Sequence, residues 1–288
     1  MADQATPLAV PQSVRRVQSE PRGARPDIAT LGGLVLAFGG IIGGLLMEGG
    51  KLKDISQITA AFIVLGGTCG AVMVSTPMGM LAGALRRLGH VFMDAADSPE
   101  GAIEQLIAFA SMARRNGLVS LEDEALKVQD PFLRKALNLA VDGTDLQEIR
   151  SMMQLDIEIT ENRAFAEARV FESAGGYSPT IGIIGAVMGL IQVMKNLSDI
   201  GEVGHGIAVA FVATVYGVGL ANLLLLPAAT KIKSRIENET ALKEMKLEGV
   251  VSIVEGLNPK LIRGKLEAYL YANRKPGTGT KGDRRASR

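Results

Sequence analysis

Few side chains in this sequence could carry chemistry inside its apolar segments. The candidate polar residues there are Thr180, Gln192, Thr214, Tyr216 and Asn222, with prolines at 179 and 227. Their hydroxyl, amide and phenol groups can bond water or an ion, but none of them ionises near neutral pH. A threonine in a membrane helix usually bonds the carbonyl four residues earlier in its own helix, so its ordinary role is structural.

The same segments contain no carboxylate. Intramembrane Asp and Glu residues mark proton relays and ion pathways. If the protein takes part in ion transport, the titrating group must therefore come from another chain. A secondary transporter that acts alone is disfavoured for the same reason.

The sequence predicts no enzyme, no metal site, no cofactor and no nucleic-acid-binding module. It has only two histidines, His90 and His205, and it lacks the HExxH, GxSxG and P-loop motifs. The acidic cluster at residues 122–124 is interpreted as the solvated start of a helix.

Four long segments without a charged residue must position the polar groups. Mean hydropathy is +0.22 although 21% of the residues are charged, so charged and apolar residues are segregated. The charge-free segments are residues 28–47, 55–85, 173–194 and 203–230. A helix needs about 20 apolar residues to cross a bilayer core. We therefore predict four membrane spans, at about 28–47, 58–80, 179–197 and 205–228, since buried helices of soluble proteins rarely run so long without a charge.

The spans form two hairpins with short connections, at residues 48–57 and 198–204. Only three of the 31 Lys and Arg residues, Lys51, Lys53 and Lys195, lie in or next to these connections. The positive-inside rule then places both termini and the long middle segment in the cytoplasm. The basic tails could contact anionic lipid.

The predicted domains are all helical or disordered. They are a disordered basic tail (1–27), a transmembrane hairpin (28–85), a cytoplasmic helical domain (86–178), a second hairpin (179–230), C-terminal cytoplasmic helices (231–272) and a disordered tail (273–288). The fold class is thus an all-α membrane protein with four transmembrane helices in two hairpins.

Capping residues predict the helices of the cytoplasmic part. Ser98-Pro99 and Pro131 are helix-start patterns, and glycines at 117 and 143 end these helices. Thr144 is predicted to cap a long helix, with Gln147 completing a capping box.

The long helix is predicted to end at Gly175-Gly176, so that Pro179 opens the third span as a first helical residue. A further helix over 229–248 is expected to extend the fourth span.

Glycines recur four residues apart in the spans. Such strips let helices approach closely in lipid, where the hydrophobic effect does not drive helix association. The pairs are 39 and 43, 40 and 44, 66 and 70, and 185 and 189, with a further glycine at 182. The strips suit either contacts among the four helices of one chain or contacts between subunits.

Several stretches, in the same order, resemble the MotA/PomA family of flagellar stator subunits. They are PTIGIIGAVMGLI (179–191), IAVAFVATVYGVGLANLLLLPAATKI (207–232), ARRNGLVSLE (113–122), VDG (141–143) and GLNPKLI (256–262). The resemblance covers about residues 26–270.

The resemblance implies an ion-conducting assembly in the bacterial inner membrane. Five copies would surround two copies of a MotB-type partner, a single-span, peptidoglycan-binding subunit that supplies the membrane aspartate. Ion flow would turn the pentamer, and cytoplasmic charges would push the rotor protein FliG. The missing carboxylate agrees with this arrangement.

The resemblance also implies roles for particular residues. Arg114, Arg115 and Glu122 match the charges that face the rotor. The candidate residues for the ion pathway and its coupling are Pro179, Thr180, Ala186, Thr214, Tyr216 and Pro227. Gly182, Gly185 and Gly189 are the candidate helix-packing residues.

Ala186 differs from the sodium-driven relatives, which carry threonine there. A sodium ion needs oxygen ligands, and alanine offers only backbone oxygen. We therefore expect proton coupling, although Thr180 and Thr214 leave sodium open.

Three alternatives remain at this point. A TolQ/ExbB-type energiser also pairs with an aspartate-bearing partner, but that type has three spans. A gliding motor or another motor would share the four-span plan. A non-conducting membrane scaffold held together by glycine packing belongs to a different class.

Overall fold

The computed structural model describes residues 25–91, 93–94 and 98–273. The two tails predicted to be disordered, 1–27 and 273–288, lie outside these residues except for 25–27 and 273.

Helices make up nearly all of the described chain, which confirms the all-α class. They are α1 (Ile28–Met47), α2 (Ile58–Ser75), α3 (Met78–Val91), α4 (Pro99–Asn116), α5 (Glu122–Ala125), α6 (Pro131–Val141), α7 (Leu146–Lys195), α8 (Ile200–Gly219), α9 (Leu226–Val254) and α10 (Pro259–Asn273). Short 3₁₀ turns occupy Leu52–Ile55 and Leu118–Leu121. The two-residue strands β1 (Arg25–Pro26) and β2 (Met93–Asp94) pair antiparallel.

The four predicted spans are confirmed as helices long and apolar enough to cross a membrane. Helix α1 has the predicted bounds. The second span was predicted to reach residue 80, but α2 ends at Ser75. The following Thr76 is extended, because the ring of Pro77 disfavours helical geometry in the residue before it.

The predicted helix end at Gly175-Gly176 is wrong. Helix α7 runs unbroken from Leu146 to Lys195, with Pro179 in its interior. Gly175 and Gly176 disfavour a helix locally, but packing against a neighbouring helix outweighs that preference. A Cβ on Gly175 would lie 2.6 Å from Cδ2 of Leu226. The helix continues through Pro179, although proline has no N–H and one backbone hydrogen bond is therefore lost.

Two predicted helix starts are confirmed and one is wrong. The side chain of Ser98 accepts from the Gly101 amide, and that of Asp130 accepts from the Phe132 amide. Thr144 does not cap α7, because Asp145 takes that place and its Oδ1 accepts from the Gln147 amide at 2.9 Å.

The predicted extension of the fourth span is confirmed. Helix α8 passes through a π-helical segment, Leu220–Leu225, directly into α9. Residues 200–254 are therefore one continuous helical run.

The described chain divides into two compact units. Residues 98–161 and 237–273 form the first unit, and residues 25–94 and 162–236 form the second. Helices α7 and α9 contribute residues to both.

The first unit has a well-packed aliphatic core. Its fully buried side chains include Leu106, Leu121, Leu133, Leu137 and Ile149. Glu248 lies between Arg150, at 3.0 Å, and Lys265. Burial would raise the pKa of Glu248, but the hydrogen bonds from Lys265 and Arg150 outweigh burial and lower it.

The second unit carries ion pairs close to the ends of its apolar helices. Glu167, whose side chain is 9% exposed, accepts from Nε of Arg87 at 2.5 Å. Asp27 contacts Lys231 at 2.5 Å and Arg235 at 3.3 Å. Asp27 also caps α1 by accepting from the Thr30 amide. The start of α1 is therefore held to α9.

The hydrogen bond from Lys231, helped by that from the Thr30 amide, lowers the pKa of Asp27 from 3.8 to about 2. A carboxylate whose pKa is lowered by folding stabilises the folded state fully above its unfolded pKa. That stabilisation is lost as the pH falls from about 4 towards 2.

We expect Asp27→Asn to destabilise the second unit by about 2 kcal/mol, the usual cost of losing charge-assisted hydrogen bonds. Asparagine keeps the helix cap, so the change isolates the charge. Thermal unfolding in detergent, followed by circular dichroism, measures the effect. Asp123→Asn, at an exposed position, is the control.

The difference between wild type and Asp27→Asn should stay constant from pH 7 to pH 4. A difference that shrinks between pH 7 and pH 5 would contradict a pKa of about 2.

Candidate functional site

Helices α7 and α8 approach each other at backbone distance through glycines. A Cβ on Gly189 would lie 2.7 Å from the carbonyl oxygen of Gly206 and 2.8 Å from the Ala210 amide nitrogen. A Cβ on Gly182 would lie 2.9 Å from the Ala213 carbonyl oxygen. Because the neighbouring atoms are backbone, no side-chain movement could make room for one.

Gly185 belongs to the same strip. A Cβ there would lie 2.8 Å from Cβ of Ala213 and 3.3 Å from Cγ2 of Ile63 on α2. The strip formed by Gly182, Gly185 and Gly189 is therefore used within one chain. Of the two expected uses, contacts among the helices of one chain or contacts between subunits, these three glycines have the first.

The glycines of the first hairpin differ. Apart from adjacent residues and the backbone of the same helix, no atom of the described chain lies within 4 Å of a Cβ built on Gly39, Gly43, Gly66 or Gly70. Helix α1 has no buried residue at all. These strips are open in the single chain.

Sequence reasoning missed Ser178, which joins the two helices beside the strip. Its buried Oγ donates to the Gly217 carbonyl at 2.9 Å. A Cβ on Gly217 would lie 2.7 Å from the Ser178 carbonyl oxygen, so the helices touch here as well. The position of Ser178, directly before the interior proline Pro179, was the only sequence feature that could have drawn attention to it.

The candidate threonines are not brought together by hydrogen bonds. Oγ1 of half-buried Thr214 donates to the Ala210 carbonyl at 3.2 Å, four residues back in its own helix. Oγ1 of exposed Thr180 donates to the Tyr177 carbonyl at 2.7 Å. Ala186 is half-buried. Thr214 thus has the structural hydrogen bond that its residue type predicts.

Tyr216 fastens α8 to the end of the first hairpin's connection. Its hydroxyl donates to the Ile55 carbonyl at 2.5 Å and accepts from the Gln57 amide at 3.4 Å. Both partners lie just before α2, so Tyr216 fixes where that helix begins.

Pro227 is exposed and lies at the second residue of α9, directly after the π-helical segment. Asn222, within that segment, donates to the Val218 carbonyl at 2.9 Å. The π-helical segment and Pro227 together make the strongest irregularity in the run from α8 to α9.

Beside the packed strip, α7 and α8 present an uncovered apolar surface. On α7 the exposed side chains are Ile183, Ile184, Val187, Met188 and Ile191, each at least 50% exposed. On α8 they are Ile207, Phe211, Val215 and Val218. No charged residue occurs between these positions on either helix.

A separate group of charges lies in the first unit. Arg114 and Arg115 occupy the last turn of α4, which Gly117 ends with φ of +85°. Glu122 opens α5 after a 3₁₀ turn anchored by buried Leu121. All three charged side chains are exposed, and no ion pair involves them within the described residues. They are thus available to an external partner.

The residues of the spans and the exposed charges of the first unit offer different chemical groups. The spans can offer hydroxyl and carbonyl oxygens but no carboxylate, and their one imidazole, that of His205, lies at the edge of the fourth span. Among the described residues, no cluster of His, Cys, Asp or Glu could hold a metal ion.

Comparison with known proteins gives two family matches. The model of the MotA/TolQ/ExbB proton channel family matches residues 124–245. The model of the motility protein A N-terminal region matches residues 31–117.

Similar proteins match along most of their length. "Motility protein A" of Bacillus subtilis (strain 168) is 36% identical over 250 residues, which are 85% of this chain and 92% of that protein. The solved "Structure of C. jejuni MotAB" matches with a TM-score of 0.82 and 32% identity over 87% of this chain and 98% of that one. The solved "flagellar MotAB stator complex from Bacillus subtilis" matches with a TM-score of 0.79 and 36% identity over 84% and 95%.

We expect Gly189→Ala to destabilise the second unit by about 1–3 kcal/mol, the usual cost of overpacking a tight contact. Gly176→Ala on the same helix is the matched control, because, apart from adjacent residues and the backbone of α7 itself, no atom of the described chain lies within 4 Å of the added Cβ. There the better helix propensity of alanine should be neutral or stabilising. Thermal unfolding in detergent measures both. Equal effects of the two substitutions would contradict the close approach at Gly189.

Proposed function

Because the chain belongs to the MotA/TolQ/ExbB proton channel family and is a flagellar motor stator subunit, we propose that it conducts protons inward together with a partner chain and converts their flow into torque on the rotor. The observation that carries this proposal is a set of four spans without a single carboxylate. A path for protons needs a group that binds and releases them. That group has to belong to another subunit.

We place this partner on the uncovered apolar surface of α7 and α8. The surface is wide and uncharged, as a contact with another membrane helix requires. The related solved structures are of MotAB, so a MotB-type subunit with a single span, a membrane aspartate and a peptidoglycan-binding domain is the proposed partner.

Copies of this chain would pack around that partner as a homopentamer. The open glycine strips of α1 and α2 support contacts between copies, because small residues let helices from different chains approach closely. Four spans, rather than three, favour a stator over a TolQ/ExbB-type energiser.

The exposed charges at Arg114, Arg115 and Glu122 would contact the rotor, for which a FliG-type protein is the proposed partner. Their exposure and the buried anchor at Leu121 support this role, since a contact surface needs charges that are accessible yet held in place. Complementary charges guide such encounters and set their specificity.

The protein is a multi-pass membrane protein, and we propose that it lies in the bacterial inner membrane with both termini in the cytoplasm. The distribution of Lys and Arg supports this orientation. Inward flow would then deliver about 2.3 kcal/mol per proton at a potential of 100 mV. That energy can move a loosely hindered ring but cannot separate large interfaces.

The charge-reversed variant Arg114→Glu/Glu122→Arg should abolish swimming while its amount in the membrane stays normal. The added charges would repel the proposed rotor contact, whereas both positions are exposed and contribute little to folding. Soft-agar motility and membrane immunoblots measure the two effects. Glu158→Lys, at an exposed position on α7, is the control and should swim normally. Normal torque in the double variant would exclude these residues from the rotor contact.

Swimming speed should not depend on sodium concentration at fixed pH, because Ala186 offers no side-chain oxygen to a sodium ion. The speed of tethered or swimming cells between low and high sodium measures this directly. A strong rise of speed with sodium would show that Thr180, Thr214 and backbone carbonyls suffice as ligands.

A further inference from the structure

We propose that Ser178 and Asn222 are positioning residues that stabilise the π-helical segment, Leu220–Leu225, and that this segment is the joint at which the fourth span moves relative to α9. Their stabilising role is supported by the hydrogen bonds that both side chains donate next to the segment. Their part in movement rests on the proposed function.

The spacing of the backbone hydrogen bonds changes within the π-helical segment. At its end, the Leu226 amide donates to the Ala221 carbonyl, five residues back instead of four. At its start, the Leu220 amide is divided between the Gly217 and Tyr216 carbonyls. In a membrane, no water is at hand to complete the hydrogen bonding of carbonyls at such a change. Donors from side chains are therefore the means by which the protein can complete it.

Two side chains donate to the carbonyls at which the spacing changes. The hydroxyl of fully buried Ser178 reaches across from α7 to the Gly217 carbonyl at 2.9 Å. Nδ2 of Asn222 donates to the next carbonyl, that of Val218, also at 2.9 Å. A carbonyl oxygen has two lone pairs and can accept a side-chain donor beside a backbone one. The two side chains thus serve consecutive carbonyls in the last turn before the segment.

The bond of Ser178 differs from those of other hydroxyls in the helices. Ser75, Ser111 and Thr214 each donate to a carbonyl three or four residues back in their own helix. That local bond is the ordinary one for a serine or threonine inside a helix. The acceptor of Ser178 is 39 residues away, on another helix. Helix α7 therefore supplies a donor to α8 at the start of the π-helical segment.

Helix α7 contacts the π-helical segment at both of its ends. Before the segment, a Cβ on Gly217 would lie 2.7 Å from the Ser178 carbonyl oxygen. After it, Cδ2 of Leu226 would lie 2.6 Å from a Cβ on Gly175. Between these contacts α7 contains Pro179, whose ring removes one backbone hydrogen bond. The hydroxyl of Ser178 thus joins the two helical runs where each departs from regular α-helical hydrogen bonding.

The position of the segment fits a joint between the membrane and the cytoplasmic part. It lies between α8, which belongs to the fourth span, and α9, which contributes residues to both units. π-helical turns occur often at functional sites, and long helices kink at them. Stabilising side-chain donors would let this turn bend without coming apart.

Amide hydrogen exchange of the full-length protein in lipid nanodiscs tests the stabilising role without any ion flow. Ser178→Ala removes a donor from outside the segment, so it leaves the helix propensity of the segment unchanged. Exchange of the amides of residues 220–226 should become about fivefold faster, the effect of losing one net hydrogen bond. Asn222→Val should act in the same direction, because valine and asparagine have similar helix propensities.

Ser111→Ala is the matched control, because it removes a serine hydroxyl that donates to the Ile107 carbonyl within one helix. It should leave the exchange of residues 220–226 unchanged. Exchange of residues 58–75, in α2 of the same unit, should stay at the wild-type rate in Ser178→Ala. This second comparison separates a local effect on the segment from a general loss of stability.

The torque that one stator unit delivers tests the role in movement. Under the proposed function, Ser178→Ala should reduce each speed increment at high load as units join a motor one by one. The size of an increment does not depend on how many units assemble, so a variant that is merely less stable would give fewer increments of normal size. Membrane immunoblots measure the amount of protein.

Three results would overturn the assignment. Unchanged or slower exchange of residues 220–226 in both variants would show that the side-chain donors do not stabilise the segment. Equal acceleration in residues 58–75 would make Ser178 a general packing residue of the second unit. Faster exchange with increments of normal size would show that the segment is not the joint. A wild-type motor whose speed is independent of the proton gradient would overturn the proposed function instead, and the exchange result would stand.

Discussion

The close approach of α7 and α8 is the constraint on which the rest of the membrane unit depends. In lipid, the hydrophobic effect does not hold helices together, so contact area and hydrogen bonds must do so. Gly189 against Gly206 and Gly182 against Gly217 bring the two backbones into contact, and Ser178 adds a hydrogen bond between them. The positions of Thr214 and Ala186, and of the uncovered surface beside them, follow from this packing. A side chain larger than hydrogen in the strip would displace all of them.

Charge imposes the complementary constraint at the helix ends. The charge-free segments contain no carboxylate, so the ion pairs of the second unit occur outside them. Asp27 pairs with Lys231 and Arg235, and Glu167 pairs with Arg87. These pairs fix the start of α1 against α9 and hold α3 against α7. They also determine which face of α3 remains outward.

The sequence predicted what depends on composition and on neighbouring residues. Charge-free segments predicted four spans because a bilayer core excludes charge, and Ser98 was correctly predicted as a cap because capping is local. The helix break at Gly175-Gly176 was wrong because contacts with α8 and α9 outweigh local propensity. The partners of Ser178 and Tyr216, which are 39 and 161 residues away, could not be read from a sequence pattern. The rotor-facing and ion-pathway roles remain predictions from resemblance.

The two irregularities in the long helices lie side by side. Ser178 and Pro179 of α7 are level with Gly217 of α8, and Gly175 lies against Leu226 at the end of the π-helical segment. At this level α7 lacks the backbone hydrogen bond that the ring of Pro179 removes, while α8 and α9 are joined by the widened turn before Pro227. Neither α7 nor the continuous helical run over residues 200–254 is interrupted by a loop there, so a displacement on one side of this level is carried along the helices. Under the proposed function, the two helical runs bend most easily at this level. A proton-driven displacement then has to move the unbroken helices on either side of it.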